Sequence, residues 1–91
     1  MMYRIDIKSD EVAQLLGVTL STARRHLRTL RHSLEKNKNQ IITIAEFCKH
    51  YDISYKEVFC QVNKLKSQEY DNLVEEGVIV VPVIKYRTVK K

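Results

Sequence analysis

The chain opens with an alternation of apolar and charged residues. Apolar side chains stand at Tyr3, Ile5 and Ile7, and charged side chains stand between them. A period of two is typical of a strand with one buried face. Residues 78–89 form a second apolar run, in which Pro82 restricts a strand to an edge or a bend. The pattern therefore predicts a small β element in which the N- and C-terminal strands pair.

From residue 9 onward the apolar positions recur with the period of an amphipathic helix. Ser9 and Gly17 bracket a first helix over residues 10–16, the former as N-cap and the latter as a C-cap able to adopt positive φ. Ser21 is the predicted N-cap of a second helix over residues 22–35. The apolar positions of this second helix lie on one face: Ala23, Leu27, Leu30 and Leu34.

The second half of the chain has a similar organisation, after a polar connector at residues 36–40. Thr43 caps a third helix over residues 44–50, and a fourth helix begins near Lys56. A last helical segment ends at Gly77, either as a separate helix or as a continuation of the fourth.

An internal similarity links the two halves at an offset of 35 residues. Of nine paired positions, seven are apolar in both copies and the remaining two are polar in both. The predicted fold is therefore mainly α, a tandem helix-turn-helix, winged or unwinged, with the small terminal β element. Residues 1–38 hold the N-terminal strand and the first helix pair, residues 39–91 hold the second pair with the C-terminal strand and tail, and both pack as one compact domain.

The formal charge of +5 is unevenly distributed along the 91 residues. Residues 20–39 contain six basic residues with Glu35 as the one acid, whereas residues 40–80 contain four lysines and seven acids. A basic island of this kind is a candidate phosphate-facing surface. The alternative is a solvated helix face stabilised by ion pairs such as Arg31 with Glu35, four positions apart.

The first helix pair has the residues that a helix-turn-helix requires. Ala13 is the small residue where the helices meet, Gly17 is the turn, and Val18, Ala23 and Leu27 are apolar residues that fix the crossing angle. This geometry projects the start of the second helix into the major groove of duplex DNA. The predicted DNA-binding residues are Leu20, Ser21, Thr22, Arg24, Arg25, Arg28 and Arg31.

The stretch EVAQLLGVTLSTARRHLRTL, residues 11–30, resembles the helix-turn-helix of bacterial transcription regulators. Its Gly-Val-Thr-x-Ser-Thr-x-Arg-Arg run is similar to that of MerR-type, excisionase-type and GntR- or DeoR-type proteins. The resemblance implies a small transcriptional regulator, or an excisionase-like accessory factor of a phage, plasmid or other mobile element.

The resemblance also implies roles for single residues of the second helix. Thr22 and Arg24 would contact the DNA backbone, while Ser21, Arg25 and Arg28 would approach the bases. The sequence departs from these families at Ala23, where they usually carry Val, Ile or Leu. No wing of the GntR or DeoR kind follows the second helix at once.

The second helix pair is a degenerate copy of the first. Asp52 replaces the turn glycine, and Glu57 stands where Thr22 stood, so that an acid would face phosphate. Packing or dimerisation is favoured over a weak second DNA contact, and an exposed Tyr55 or Phe59 would favour a protein interface. The chain is therefore predicted to form a homodimer through this second unit or through its terminal strands.

Other classes of function find little support in the sequence. Cys48 and Cys60 lack metal-ligand spacing and are interpreted as reduced cysteines, so no metal is expected. No nucleophile stands beside a base and no glycine-rich phosphate loop is present, so we expect neither an enzyme nor a cofactor. The sequence shows no signal peptide or membrane span, which predicts a cytoplasmic protein without a membrane partner.

Two alternatives to DNA binding stay open at this point. The first is a protein-interaction adaptor that kept the fold and lost DNA binding; its partner would dock on the acidic second half. The second is an RNA-binding module, which is disfavoured because a helix fits the major groove of B-form DNA better than that of A-form RNA.

Overall fold

The computed structural model describes residues 3–37 and 39–84. The mainly helical fold predicted from the sequence is confirmed over these residues. The helices, in chain order, are α1 (Ser9–Leu16), α2 (Leu20–Ser33), α3 (Ile44–Tyr51), α4 (Tyr55–Asn63) and α5 (Ser67–Glu75). The segment that ends near Gly77 is therefore a helix separate from α4.

A three-residue turn joins α1 to α2 and makes α2 begin earlier than predicted. Gly17 adopts the left-handed conformation with φ of 66°, and the N–H of Val18 donates to Ala13 O at 3.1 Å. Thr19 is the N-cap, because its Oγ1 accepts from the N–H of Thr22 at 3.2 Å. The predicted cap at Ser21 was wrong. The helix is capped at Thr19, which is separated from Gly17 by only one residue.

The other ends of the first two helices also differ slightly from the prediction. Lys8, not Ser9, is the N-cap of α1, since its N–H donates to the carboxylate of Glu11 at 2.8 Å. Helix α2 ends at Ser33 instead of residue 35, and Glu35 has a left-handed φ of 57°. Glu35 therefore lies outside the helix.

The turn between α3 and α4 has the same design as the turn between α1 and α2. Asp52 has a φ of 55°, the N–H of Ile53 donates to Cys48 O at 3.1 Å, and Ser54 caps α4 by accepting from the N–H of Glu57. Helix α3 lies 35 positions after α1 at both of its ends. The sequence similarity at that offset therefore extends to the backbone of the two helical corners.

The predicted β element was wrong for the described residues, which contain no β-strand. Instead, the N-terminal segment meets the residues before α3 at an isolated antiparallel bridge between Asp6 and Thr43. The N–H of Ile7 donates to Ile42 O at 3.0 Å, and the N–H of Ile44 donates to Ile5 O at 2.7 Å. Ile7, Ile42 and Ile44 are all buried, so this pairing places three side chains in the core.

The C-terminal apolar run does not pair with the N-terminal segment where it is described. Residues 78–84 have no regular secondary structure, and the remainder of the predicted strand, residues 85–89, lies outside the described residues. Pro82 has no N–H to donate to a neighbouring strand. Ile79 is buried, whereas Val80 and Val83 are 83% and 93% exposed.

Both halves of the chain contribute to one hydrophobic core. Helix α4 lies within it, and the ring of Phe59 packs against Tyr3, Tyr55 and Tyr70 with centroids 5.6 to 6.0 Å apart. Tyr55 and Phe59 are only 9% and 3% exposed. They therefore pack inside the fold and do not offer the exposed aromatic interface considered above. The largest fully buried side chains are Val12, Leu30, Ile42, Ile44, Phe47, Cys48 and Val58.

Candidate nucleic-acid interface

Helix α2 is anchored by one apolar face. Ala23, Leu27 and Leu30 are buried in the core. The half-buried ring of His26 adds a polar contact, with Nδ1 of His26 3.1 Å from the hydroxyl of Tyr51 on α3. The remaining circumference of α2 is turned away from the core.

The outward face of α2 is basic and carries no acid. Arg24, Arg25 and Arg28 are exposed, and Arg31 is half-buried. Among the described residues, salt bridges join Arg4, Lys36 and Lys56 to acids, and none involves an arginine of α2. The arginines on this face therefore form no salt bridge with the carboxylates of residues 3–37 and 39–84.

The ion pair between Arg31 and Glu35, on which the solvated-face interpretation relied, is not formed. Because α2 ends at Ser33 and Glu35 turns into the left-handed region, the two residues do not share a helical face. Arg31 Nε instead donates to Gln40 O at 3.4 Å. This bond ties the helix to the connector that follows it.

Helical geometry groups the predicted base-reading residues on one arc. At about 100° per residue, Ser21, Arg25 and Arg28 fall within roughly 60° of the circumference of α2. Arg24 and Thr22, the two predicted backbone contacts, fall on opposite sides of that arc. The structure therefore separates the two backbone residues and brings the three base-reading residues together.

The beginning of α2 determines how its hydroxyl groups are used. The hydroxyl of Thr22 accepts from Thr19 Oγ1 at 3.0 Å, so Thr22 belongs to the capped first turn. Ser21 is exposed in this turn, where it is no longer needed as a cap. Leu20 is 41% exposed and lies on the same side of the helix as Arg24 and Arg31.

A groove along α2 adds residues that the sequence did not single out for DNA contact. It has a volume of about 570 Å³. We call it the basic groove, and its lining residues are Ser9, Arg24, Leu27, Arg28, Arg31, His32 and Lys36. Lys36 belonged to the basic island of the sequence, but its approach to α2 depends on how the connector folds. The neighbouring groove shares Arg24 and Arg31 with the basic groove and also contains Asp6 and Asp10, so acids lie beside the basic groove on one side.

Lys36 is held in place by two partners beyond α2. Its Nζ lies 2.9 Å from a carboxylate oxygen of Glu46 and donates to Ile41 O at 2.9 Å. Burial by itself would raise the pKa of Glu46, but hydrogen bonds from Thr43 and Lys36 outweigh it and hold this pKa below its ordinary value. The pair fixes the start of α3 against the end of α2.

The equivalent helix of the second unit has a different surface. The inward side of α4 is buried, with Tyr55, Val58, Phe59 and Val62 in the core. On its outer side Glu57 is exposed and Lys56 pairs with Asp71 at 2.8 Å. An acid and a neutralised lysine make this surface a poor match for phosphate.

Comparisons with family models, curated proteins and solved structures give no match. Within residues 3–37 and 39–84, no three His, Cys, Asp or Glu side chains converge as a metal site would require. No helix in this part of the chain has the length and apolar character needed to cross a membrane. The function is therefore inferred from the residues of this chain.

Proposed function

We propose that this chain is a sequence-specific duplex-DNA-binding protein that docks α2 in the major groove as the second helix of a helix-turn-helix. Its role would be that of a small transcriptional regulator or an excisionase-like accessory factor. The supporting observation is the outward face of α2, where four arginines lack carboxylate partners among the described residues and follow a capped helical corner.

Binding would proceed from phosphate contact to base reading. Arginines that face phosphates release condensed counterions, which gives affinity without sequence preference. Arg24 and Thr22, on the two flanks of the arc, are placed to contact the two backbones. Arg25 can fork onto the O6 and N7 of a guanine and Ser21 can bond to a base edge, while Arg28, at the edge of the arc nearest Arg24, is within reach of the same backbone as Arg24.

Selection of bound duplexes from a random pool, followed by fluorescence anisotropy against salt, tests the proposal. We expect Arg24→Ala/Arg25→Ala to lose affinity and to have a shallower salt dependence, by about 0.9 in log–log slope for each phosphate contact removed. Lys49→Ala/Lys64→Ala is the matched control, since it removes two positive charges from exposed residues outside α2. Equal effects of both variants, or no binding of wild type to any duplex at low salt, would contradict the proposal.

The same assay separates the alternative functions. Competition with duplex RNA should be weak if α2 enters a B-form major groove. An adaptor without DNA binding would bind no duplex, and its affinity for a protein partner would be unchanged by Arg24→Ala/Arg25→Ala.

We also propose that the protein acts as a homodimer, because one helix reads only a few base pairs and two half-sites give specificity. The exposed apolar side chains of Val78, Val80, Val81 and Val83 favour the C-terminal segment as the contact. Sedimentation equilibrium should show a dimer for wild type and a shift to monomer for Val80→Ser/Val83→Ser. A monomeric wild type at concentrations of about 100 times the DNA dissociation constant, measured without DNA, would refute the dimer.

A further inference from the structure

The two flanks of α2 have different chemistry. On one flank the basic groove brings together Arg24, Arg28 and Arg31, with His32 and Lys36 extending it toward the end of the helix and Ser9 opposite. No acid lines this groove. The positive charges therefore form a row and not an isolated cluster.

The opposite flank of α2 is uncharged. Thr22, Thr29 and Ser33 follow one another there within about 40° of the helix circumference. Thr29 and Ser33 are exposed, and Thr22 is half-buried in the capped turn. This hydroxyl flank can donate hydrogen bonds to phosphate oxygens but cannot release counterions by neutralising them.

We propose that the basic groove seats the sugar–phosphate backbone of one DNA strand, and that the hydroxyl flank faces the backbone of the other strand. This inference rests on the proposed function and deepens it, since it names the strand contacts and adds His32 and Lys36 to them. The protein therefore binds the two strands by different interactions: one strand by charge and the other by neutral hydrogen bonds.

The length of the row fits a strand better than a small anion. Arg24 and Arg31 are separated by roughly 10 Å along the axis of α2, and each strand of B-form DNA places one phosphate every ~3.4 Å along the duplex axis. The row therefore matches on the order of two or three consecutive phosphates. A single small anion would leave most of it unmatched, and the exposed side chains of Arg24 and Arg28 would not enclose it.

Two cations of the groove are already oriented by the fold. Arg31 is bonded to Gln40 O, and Lys36 is held by Glu46 and Ile41 O. Ordering these side chains in advance lowers the entropic cost of binding. Glu46 partly neutralises Lys36, so the three arginines of the groove carry most of the charge effect.

The test uses the full chain and a duplex chosen by the selection described above. Arg28→Gln/Arg31→Gln should reduce the log–log salt slope by about 1.8, two contacts at about 0.9 each, and weaken binding roughly tenfold or more near 0.15 M salt. The matched variant Thr29→Val/Ser33→Ala should weaken binding with the slope unchanged. If the arginine variant binds with the wild-type slope, the groove does not seat phosphates.

A second measurement on the wild-type protein does not depend on how variants fold. Phosphates of each strand are replaced in turn by uncharged methylphosphonates within one half-site, across the footprint of a single α2 helix. We expect the salt slope of the wild-type protein to fall much more for one strand than for the other. Equal losses of salt slope for both strands would overturn the proposal that the two strands are bound by different interactions. Failure of wild type to bind any unmodified duplex would instead overturn the proposed function itself.

Discussion

The side-chain amide of Asn63 is hydrogen-bonded to both backbone groups of Arg4. Its Oδ1 accepts from the N–H of Arg4 at 2.7 Å, and its Nδ2 donates to Arg4 O at 3.1 Å. Asn63 is the last residue of α4 and lies 59 positions from Arg4. One amide therefore bonds to the backbone N–H and C=O of Arg4, the groups that a neighbouring strand would otherwise pair with. It also holds the N-terminal segment against the second helix pair.

Removal of this amide should destabilise the fold without touching α2. Asn63→Ala leaves two partly buried backbone groups of Arg4 unsatisfied, which costs about 1–3 kcal/mol in free energy of unfolding. Urea denaturation measures the change. Asn72→Ala is the control, since it makes the same side-chain change at an exposed position of a helix and should cost less than about 0.5 kcal/mol. Similar losses in both variants would show that the Arg4 contact contributes nothing.

At the left-handed residues that end α1 and α4, removing a glycine should lower the stability of the fold and introducing one should raise it. Gly17→Ala should cost roughly 1 kcal/mol, because a Cβ at Gly17 meets no atom within 4 Å and only the backbone conformation opposes it. Lys64→Gly, at a φ of 56°, should stabilise by about 0.5–1 kcal/mol. Lys64→Ala removes the same side chain but keeps the Cβ, so its thermal midpoint should not rise. If Lys64→Ala and Lys64→Gly melt alike, relief of backbone strain is not the cause.

The hydrogen bonds at the start of α3 predict a pH-dependent stability. The folded-state pKa of Glu46 lies below its ordinary value of 4.5. The resulting stabilisation is fully present above that ordinary value and is lost as the pH falls through the lower, folded-state pKa. Glu46→Gln should therefore be less stable than wild type near neutral pH, with the difference shrinking in acid. Lys36→Gln should reduce the effect only in part, because Thr43 still donates to the carboxylate. A difference that stays constant from neutral pH into acid would rule out this linkage.

The two cysteines should differ in reactivity. Cys48 is fully buried, and burial raises the pKa of its thiol to about 12. Cys60 is half-buried on α4, and burial raises the pKa of its thiol as well. Because alkylation needs an accessible thiolate, iodoacetamide at mildly alkaline pH should modify Cys60 before Cys48. Mass spectrometry of the native protein and of the urea-unfolded protein gives the order. Equal rates of alkylation of the two cysteines in the native protein would mean that the core around Cys48 opens readily.

Arg24 and Arg25 are adjacent in sequence but face different parts of the proposed DNA site. Arg25→Ala should relax base preference at one position of the selected duplex, with discrimination reduced by about 1–3 kcal/mol. Arg24→Ala should instead weaken all duplexes alike and reduce the salt slope by about 0.9. Affinities for a panel of single-base variants separate the two outcomes. The assignment fails if the two substitutions change the panel in the same way.

The end of α1 and the start of α3 were accessible from the sequence because each depends on a few neighbouring residues. Thr43 caps α3 and Gly17 ends α1, as the local pattern predicted, and Glu46 in return accepts a hydrogen bond from Thr43. The start of α2 was missed because both Thr19 and Ser21 can cap a helix. The choice between them depends on how tightly α1 and α2 pack, which is not a local property.

The candidate site was likewise predictable from the sequence only in part. The charge island and the corner around Gly17 pointed to α2 and to its seven predicted contact residues. The basic groove was not foreseeable as a unit, since it needs Lys36 to fold back against Glu46 and Ser9 to approach from α1. The nearest sequence signal was the continuation of the basic island beyond Arg31.

The sequence by itself determined the helical segments, the caps at Gly17 and Thr43 and the basic face of α2, because helical periodicity and capping act over a few residues. Only the tertiary structure decided which extended segments meet. Residues 5–7 pair with residues 42–44 because buried isoleucines on both sides enter the core and Asn63 holds the far edge at Arg4. The C-terminal run is equally apolar, so composition alone could not choose between the two partners. That choice depends on contacts between residues far apart in the chain, which no local pattern records.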